Sequence, residues 1–178
     1  SRVPAQTDAG GKPGGFRAYL DSFTGVRRLA AMAVLVAMIV AAAMGEIINR
    51  DGVIYVRTAQ AFLDGGLAGA MHIYNWPAYP ILFALVSKLT GLSLEAAAHV
   101  VNAGLILLLV DAFIRLCHEL DGNSPRPWIA ALVILAFPYL DHRLEIYRDW
   151  GYLAFALCAF VPLTRFWQAR EGAASDAI

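Results

Sequence analysis

The sequence predicts an all-α polytopic membrane protein, a bundle of about four to five spanning helices with further helices in the membrane interface. Composition is the first reason, since 59% of the 178 residues are hydrophobic and 16% are charged, whereas soluble domains average about 45–50% and about 25%. The second reason is grouping, because the apolar residues form runs that approach the roughly 20 residues needed to cross a bilayer. Lipid admits only helices or closed barrels, and the sequence lacks the two-residue alternation of a barrel strand.

Charge and cysteine content exclude several classes of protein. Fourteen Lys and Arg balance fourteen Asp and Glu, so the formal net charge is zero. This balance excludes a basic nucleic-acid binder, and the high apolar content excludes a disordered acidic chain and most soluble enzymes. The two cysteines, Cys117 and Cys158, lie in apolar stretches and offer neither a disulfide framework nor a metal-binding spacing.

The N-terminal region differs from the rest of the chain. Residues 1–28 are rich in Gly, Pro and small polar residues, so we expect a disordered tail. The uncharged run 29–45 follows Arg27 and Arg28 and predicts the first spanning helix. Because Lys and Arg concentrate in cytoplasmic segments, the tail is predicted to be cytoplasmic and the first helix to exit to the outside.

Four further apolar stretches predict the remaining helices of the bundle. They are 76–92, 94–116, 127–140 and 150–166. We expect 76–92 to lie in the interface without crossing, because Pro77 and Pro80 disrupt its start and Lys88 interrupts its apolar run. The predicted organisation is a tail at 1–28, a transmembrane module at 29–170, external loops at 46–93 and 141–149, and a polar tail at 171–178.

A polar, amphipathic segment follows the first predicted span. Residues 46–66 place Asp51 and Tyr55 on one helix face, and the Gly-Gly pair at 65–66 is a typical helix stop. We expect an interfacial helix whose N-terminus is capped by Asn49 or Asp51. A purely structural role for Asp51 as a cap and a functional role for its carboxylate are both open at this point.

A second polar cluster follows the helix predicted to end near residue 140. Its charged members and its histidine are Asp141, His142, Arg143, Glu145, Arg148 and Asp149. Charges at a membrane boundary can simply be solvated loop ends. Ionisable residues at membrane depth are costly unless they pair or function. Both polar segments combine cations, acids and aromatic residues, which favours a functional interpretation.

Several short motifs occur in an order that resembles a known family. They are Arg50-Asp51-Gly52 with Tyr55 and Ala59, a Gly-Gly turn, Tyr74-x-Trp76-Pro77-x-Tyr79-Pro80, Gly91-Leu92-Ser93-x-Glu95-Ala96-Ala97 running into Asn102, and Arg148-Asp149-x-x-Tyr152. Over 29–170 they resemble the start of GT-C fold glycosyltransferases that use polyprenyl-phosphate sugars, close to the protein mannosyltransferase and lipid A aminoarabinose transferase group.

The resemblance implies a glycosyltransferase of the bacterial inner membrane that works on the external face. It implies an acid in the first external loop near the transferred sugar, which Asp51 matches, and a second acid in the next external loop, which Asp149 matches. Arg148 would face the lipid phosphate. Relatives carry a Lys before paired prolines where this chain has Ala78 or Tyr79, so a phosphate-binding Lys is not carried over. Family members usually have more spanning helices, so the chain resembles an N-terminal module, either a fragment or a short relative.

The chemistry of sugar transfer suits these residue types. A carboxylate within hydrogen-bond reach of an acceptor hydroxyl can take its proton, which makes Asp51 the candidate base. An Arg side chain can hold the phosphate as its negative charge grows. The candidate substrate-binding residues are Arg148, Asp149, Arg143, Arg57, Tyr55 and His72. Asp51 and Asp149 could share a divalent metal ion, and the sequence leaves metal dependence open.

Two other functions stay open beside the enzyme. A non-catalytic membrane subunit that binds lipid or partner helices is favoured by the small number of helices. A transporter fragment would need polar residues in mid-helix, whereas the charges here gather at helix ends. The expected partners are a polyprenyl-phosphate-linked sugar and membrane lipids, with the donor sugar and the acceptor undetermined.

Other polar and aromatic residues are predicted to be structural. His99 and Asn102 lie one turn apart and predict a helix–helix hydrogen-bond site. The spacing of Asp111 and Arg115 predicts an ion pair within one helix. Four aromatic residues predict a belt at the membrane interface. They are Tyr74, Trp76, Tyr79 and Tyr139.

Overall fold

A computed structural model describes residues 22–43, 48–120, 127–135 and 145–175. Regular secondary structure within these ranges is entirely helical and forms six helices. They are α1 (Phe23–Ala43), α2 (Arg50–Ile73), α3 (Ala78–Thr90), α4 (Leu94–Leu120), α5 (Pro127–Leu135) and α6 (Asp149–Ser175). The predicted all-α membrane bundle is therefore confirmed.

Three of the described helices are long and apolar enough to cross a membrane. Their spanning segments are Phe23–Val40, Leu94–Leu120 and Asp149–Glu171. Helix α3 is apolar but has 13 residues. It is therefore about 20 Å long, shorter than the hydrocarbon core of about 30 Å. That length supports an interfacial position for 76–92, which stays a prediction. The predicted span at 127–140 is described only over Pro127–Leu135.

Helix α4 lies at the centre of the bundle and packs against five other helices, most extensively against α6. Apolar residues occur around its whole circumference, as is typical of a helix surrounded by lipid and protein. Ile106, Val110 and Ile114 are buried in the core that it shares with α1, α5 and α6. The close contact with α6 uses Gly151, where an added Cβ would lie 3.4 Å from Leu105 Cδ1.

Contacts along α4 fix the directions of its neighbours. Gly151 lies beside Leu105 near the start of α6, and Arg165 reaches Glu119 further along both helices, so α4 and α6 run parallel. Helix α1 is antiparallel to them, because its first turn meets the last turns of α4. The end of α1, the start of α2 and the start of α6 are consequently at one end of the bundle.

Two glycines reverse the direction of α2. Gly65 (φ −134°, ψ 15°) and Gly66 (φ 62°, ψ −154°) leave the helical region of backbone conformation, and the positive φ at Gly66 suits a residue without Cβ. The following turn folds back, since an added Cβ at Gly69 would lie 2.5 Å from the Ala61 carbonyl oxygen. The predicted helix stop is thus a kink, because a second helical segment begins directly after it.

Candidate functional site

The N-terminus of α2 is joined to the segment that precedes α6. Asn49 is the N-cap, and its Oδ1 accepts a hydrogen bond from the Gly52 N–H at 3.2 Å. The same oxygen accepts a hydrogen bond from the Ile146 N–H at 3.1 Å. Of the two capping residues that the sequence left open, Asn49 is the cap, and Asp51 lies in the first turn of the helix.

Gly52 makes this junction possible. An added Cβ at this position would lie 2.7 Å from Asn49 Oδ1 and 3.2 Å from Ile146 Cβ. Ile146 is completely buried and packs with Tyr55 and Ala59 on the next turns of α2. In the Arg50-Asp51-Gly52 sequence, the Asp51 carboxylate is therefore next to Gly52, whose lack of a side chain permits the close contact with Asn49 and Ile146.

Four aromatic side chains, three of them tyrosines, pack next to this junction. We call them the tyrosine cluster. They are Tyr55, Tyr74, Tyr79 and Phe83. The Tyr55 ring centroid lies 5.5 Å from that of Tyr74 and 5.4 Å from that of Tyr79, both edge to face, a favourable geometry for aromatic pairs. The kink in α2 brings Tyr74 back beside Tyr55. The cluster therefore unites α2, the segment after it and α3.

The predicted aromatic belt is only partly consistent with these positions. Tyr74 and Tyr79 contact other aromatic rings, and the Tyr79 hydroxyl donates to Asn102 Oδ1 at 3.3 Å. Trp76 is 76% exposed, as a belt residue would be. Tyr139 lies outside the described residues.

Arg148 connects the tyrosine cluster to the start of α6. Its Nη1 donates a hydrogen bond to the Tyr74 hydroxyl at 2.6 Å, and its side chain is exposed. A phenol is neutral, so this contact orients the guanidinium without cancelling its charge. The Tyr152 N–H donates to the Arg148 carbonyl, which places Arg148 at the helix N-terminus, where anions bind favourably.

Asp51 and Arg148 both act on the Tyr55 hydroxyl. Burial raises the pKa of Tyr55, the neighbouring Tyr74 and the Asp51 carboxylate raise it further, and the Arg148 guanidinium lowers it. Burial also raises the pKa of Tyr79, with Tyr55 adding to the effect. Two opposite charges from distant parts of the chain thus lie within electrostatic range of one buried phenol.

Three of the predicted site residues come together here, namely Asp51, Tyr55 and Arg148. Asp149 follows Arg148 and is exposed in the first turn of α6. In the sequence, only the family resemblance indicated this grouping. In the structure, the hydrogen bond from the Ile146 N–H to Asn49 Oδ1 holds the segment before α6 against the start of α2.

Of the other predicted site residues, Arg57 and His72 are not part of this grouping. Arg57 and His72 are exposed, and within the described ranges neither forms a hydrogen bond or an ion pair. Arg143 lies outside the described residues. In the part of the chain that the structure describes, no group of three or more His, Cys, Asp or Glu residues could hold a metal ion. A shared metal at Asp51 and Asp149 stays a prediction.

Sequence reasoning missed the roles of Tyr74, Glu145 and Tyr147. The Tyr147 hydroxyl donates to Glu145 Oε2, and this bond raises the pKa of Tyr147. Trp150 Nε1 donates to the Glu145 carbonyl at 3.3 Å, which closes the turn before α6. The position of Tyr74 could not be predicted, because no pattern in the sequence indicates the direction of the chain after the kink in α2.

The opposite end of α4 carries an ion-pair cluster of Arg27, Asp111 and Arg115. Arg115 Nε donates to Asp111 Oδ2 at 2.7 Å, so the predicted ion pair within α4 is confirmed. Arg27 Nε, from α1, donates to Asp111 Oδ1 at 2.5 Å. Beside it, the Phe23 and His118 rings stack with centroids 4.1 Å apart. These contacts fasten the start of α1 to the end of α4.

The predicted hydrogen-bond site at His99 and Asn102 is half correct. Asn102 is completely buried and accepts the hydrogen bond from Tyr79, which joins α3 to α4. His99 Nδ1 is also buried, but it has no hydrogen-bond partner among the described residues. At this site, the hydrogen bond between α3 and α4 in the described part of the chain is made by Asn102.

No protein-family model, no curated protein sequence and no solved structure matches this chain. A functional assignment therefore depends on the chemistry of the side chains at the start of α2 and α6.

Proposed function

We propose that this chain is a GT-C-like module of a membrane glycosyltransferase, which transfers a sugar from a polyprenyl phosphate to an acceptor hydroxyl on the external face. The observation that carries the proposal is the position of Asp51 and Arg148 at the tyrosine cluster. Asp51 lies one turn before Tyr55 on α2, and Arg148 donates to Tyr74, whose ring contacts that of Tyr55. A base and an anion-binding cation are the two groups that this reaction requires. The resemblance of the sequence motifs to polyprenyl-phosphate-dependent enzymes supports the same reaction.

Asp51 takes the part of the base. Because Asn49 already caps the helix, the Asp51 carboxylate is not engaged in capping. Within the described ranges it forms no hydrogen bond or ion pair, and it is exposed. As the acceptor oxygen forms its bond to the anomeric carbon of the sugar, the hydroxyl proton passes to this carboxylate.

Arg148 takes the part of the phosphate-binding group. The bond between the anomeric carbon and the phosphate oxygen breaks, and its electron pair stays on the leaving lipid phosphate. The added negative charge is stabilised by the Arg148 guanidinium. Tyr74 holds that side chain through the 2.6 Å hydrogen bond. The N-terminus of α6 contributes further positive potential.

Transfer activity tests the base. Asp51→Asn and the control Lys88→Ala are introduced at the natural locus, so that any segment or partner that acts with the chain is retained. Membranes are mixed with a panel of radiolabelled polyprenyl-phosphate hexoses and pentoses, and the label that leaves the lipid fraction is measured. We expect Asp51→Asn to lower transfer at least about a hundredfold and Lys88→Ala to leave it unchanged. Turnover near the parent level in Asp51→Asn would falsify the role of the base.

Donor binding tests the phosphate site separately. Retention of the labelled donor by the purified protein should persist in Asp51→Asn, weaken in Arg148→Lys, and weaken most in Arg148→Ala. The order follows because Lys keeps the charge but loses the planar arrangement of donors. Equal retention by the parent and both Arg148 variants would place phosphate recognition elsewhere, with Arg143 the next candidate.

A non-catalytic subunit is the second candidate function, and the apolar surface of the spanning helices favours it. On α1, Val36 is 57% and Ile39 60% exposed, and on α6, Phe155 is 61% exposed. Such faces can receive partner helices as well as lipid. Under this function, Asp51→Asn leaves transfer unchanged, while bulky polar substitutions at Val36 or Phe155 release the partner.

A further inference from the structure

A cleft of about 360 Å³ opens between α4 and α6, away from the tyrosine cluster. Its lining residues are Leu108, Asp111, Ala112, Arg115, Cys158, Val161 and Pro162. Five of these side chains are apolar or weakly polar. The other two, Asp111 and Arg115, belong to the ion-pair cluster. The cleft thus joins an apolar wall to a charged rim.

A bilayer around the candidate spanning helices would place the cleft at membrane depth. Both of its walls lie within segments that are long and apolar enough to span the membrane, Leu94–Leu120 and Asp149–Glu171. An acyl chain is the ligand that a membrane supplies at high concentration to an apolar cleft at this depth. Cys158 and Ala112 have small side chains, which leaves the space between the two parallel helices unfilled.

The charges at the rim are unbalanced. Asp111 carries one negative charge, and it accepts hydrogen bonds from both Arg27 and Arg115. The cluster therefore keeps one positive charge in excess. Of the three side chains Arg115 is the most exposed, at 43%, against 21% for Arg27 and 27% for Asp111. An anion that approaches from the cleft meets the Arg115 guanidinium first.

We propose that this cleft binds an anionic phospholipid. One acyl chain lies against Leu108, Cys158 and Val161, and the phosphate accepts hydrogen bonds from Arg115. Basic pockets between spanning helices are a recurrent means of binding anionic headgroups. The excess charge selects an anionic lipid over a zwitterionic one, and the apolar wall selects a lipid over free phosphate. The site is independent of Asp51 and Arg148, which lie at the other end of α4.

Lipid selectivity tests the proposal. The full chain is reconstituted into phosphatidylcholine vesicles, and the fraction of protein-associated spin-labelled phosphatidylglycerol is compared with that of spin-labelled phosphatidylcholine. We expect Arg115→Ala to lower the selectivity ratio about fivefold and Asp111→Asn to raise it by a similar factor. Arg115→Lys, which keeps the charge, should retain most of it. Opposite responses to Arg115→Ala and Asp111→Asn are expected only if the net charge of the cluster selects the lipid.

Matched controls separate this site from general surface charge and from simple disruption of α6. Arg170→Ala removes an exposed cation near the same end of α6 and should leave the ratio unchanged. Cys158→Trp fills the cleft and should abolish the selectivity, whereas Ala159→Trp, on an exposed position next to it, should not. If Arg170→Ala lowers the ratio as much as Arg115→Ala does, or if Cys158→Trp has no effect, the cleft is not the lipid site.

Discussion

The two ends of α4 use charged residues differently. Near its C-terminal end, Asp111 accepts hydrogen bonds from Arg27 and Arg115. Near its N-terminal end, Arg148 donates to the Tyr74 hydroxyl and Asp51 is exposed. Both regions combine acids, arginines and aromatic rings close to a predicted membrane boundary. In the ion-pair cluster opposite charges neutralise one another in part. Beside the tyrosine cluster, the described residues show no ion pair at Asp51 or Arg148, and Arg148 donates to a neutral phenol.

This difference separates a carboxylate that is paired with two arginines from charged groups that form no ion pair among the described residues. A carboxylate that binds two guanidinium groups holds helices together and has little capacity left for a ligand. A carboxylate and a guanidinium that form no ion pair remain available to a ligand of opposite charge or to a hydrogen-bond donor. The comparison predicts that substitutions in the ion-pair cluster lower stability, while Asp51 and Arg148 affect activity with little loss of stability.

The largest expected effect is a difference in thiol labelling between the two ends of the bundle, which reports the side of the membrane on which each end lies. Single cysteines at Gly91 and Arg170, in a background that lacks Cys117 and Cys158, report the two ends of the bundle. An impermeant thiol reagent added outside intact cells should label the cysteine at position 91 and spare the one at position 170. The positive-inside rule gives this orientation. Labelling of position 170 alone would place the tyrosine cluster in the cytoplasm and contradict transfer on the external face.

The next effect concerns the ion-pair cluster. Asp111→Ala leaves Arg27 and Arg115 without their carboxylate in a partly buried position, so we expect the free energy of unfolding to fall by about 2–3 kcal/mol. Unfolding by sodium dodecyl sulfate in mixed micelles, followed by circular dichroism, measures the change. Lys88→Ala is the control and should be neutral. If Asp111→Ala has the same free energy of unfolding as the parent protein, apolar packing alone is sufficient to hold α1 against α4.

A smaller effect is expected at the junction between α2 and α6. Gly52→Ala should lower the free energy of unfolding by about 1–3 kcal/mol, because the new Cβ displaces Asn49 Oδ1 from its two hydrogen bonds. Gly104→Ala is the matched control. An added Cβ there meets nothing within 4 Å, so this variant should be neutral or more stable by about 0.5–1 kcal/mol. The same unfolding assay measures both variants. An equal fall in the free energy of unfolding for Gly52→Ala and Gly104→Ala would show that the junction does not contribute to stability.

The smallest effect concerns the pair of Glu119 and Arg165. Arg165 Nη2 donates to Glu119 Oε1 at 2.5 Å, but the Arg165 side chain is 59% exposed. Glu119→Gln should therefore change the free energy of unfolding far less than Asp111→Ala does, because exposed ion pairs contribute little to stability. If Glu119→Gln lowers the free energy of unfolding as much as Asp111→Ala does, solvent exposure does not determine how much each ion pair stabilises this bundle.

Much of the fold could be predicted because lipid imposes length and composition on spanning helices. The runs that begin at residues 94 and 150 correspond to α4 and α6. The run that begins at residue 29 lies within α1, but α1 already begins at Phe23, so the predicted disordered tail at 1–28 is wrong for residues 23–28. The pair of Asp111 and Arg115 followed from helical spacing alone. Arg27 could not be assigned to it, since its contact with Asp111 spans 84 residues of chain.

The candidate site was less predictable for a related reason. Asp51 and Arg148 could be named by residue type and by the order of motifs. Tyr74, however, lies beyond the kink at Gly65 and Gly66, and its contact with Arg148 spans 74 residues. The hydrogen bond between Ile146 and Asn49 spans 97 residues. Such long-range contacts depend on how helices pack, which a one-dimensional pattern does not contain.

The kink at Gly65 and Gly66 also sets an order of assembly. Tyr55 and Tyr74 belong to one short stretch of chain, so their packing can form while the nascent protein still ends near α3. Arg148 is synthesised much later and enters only after α6 inserts. A nascent or truncated chain that stops before α6 would therefore contain the phenols without the cation, and the contact between Tyr74 and Arg148 would form only when the last described helix is in place.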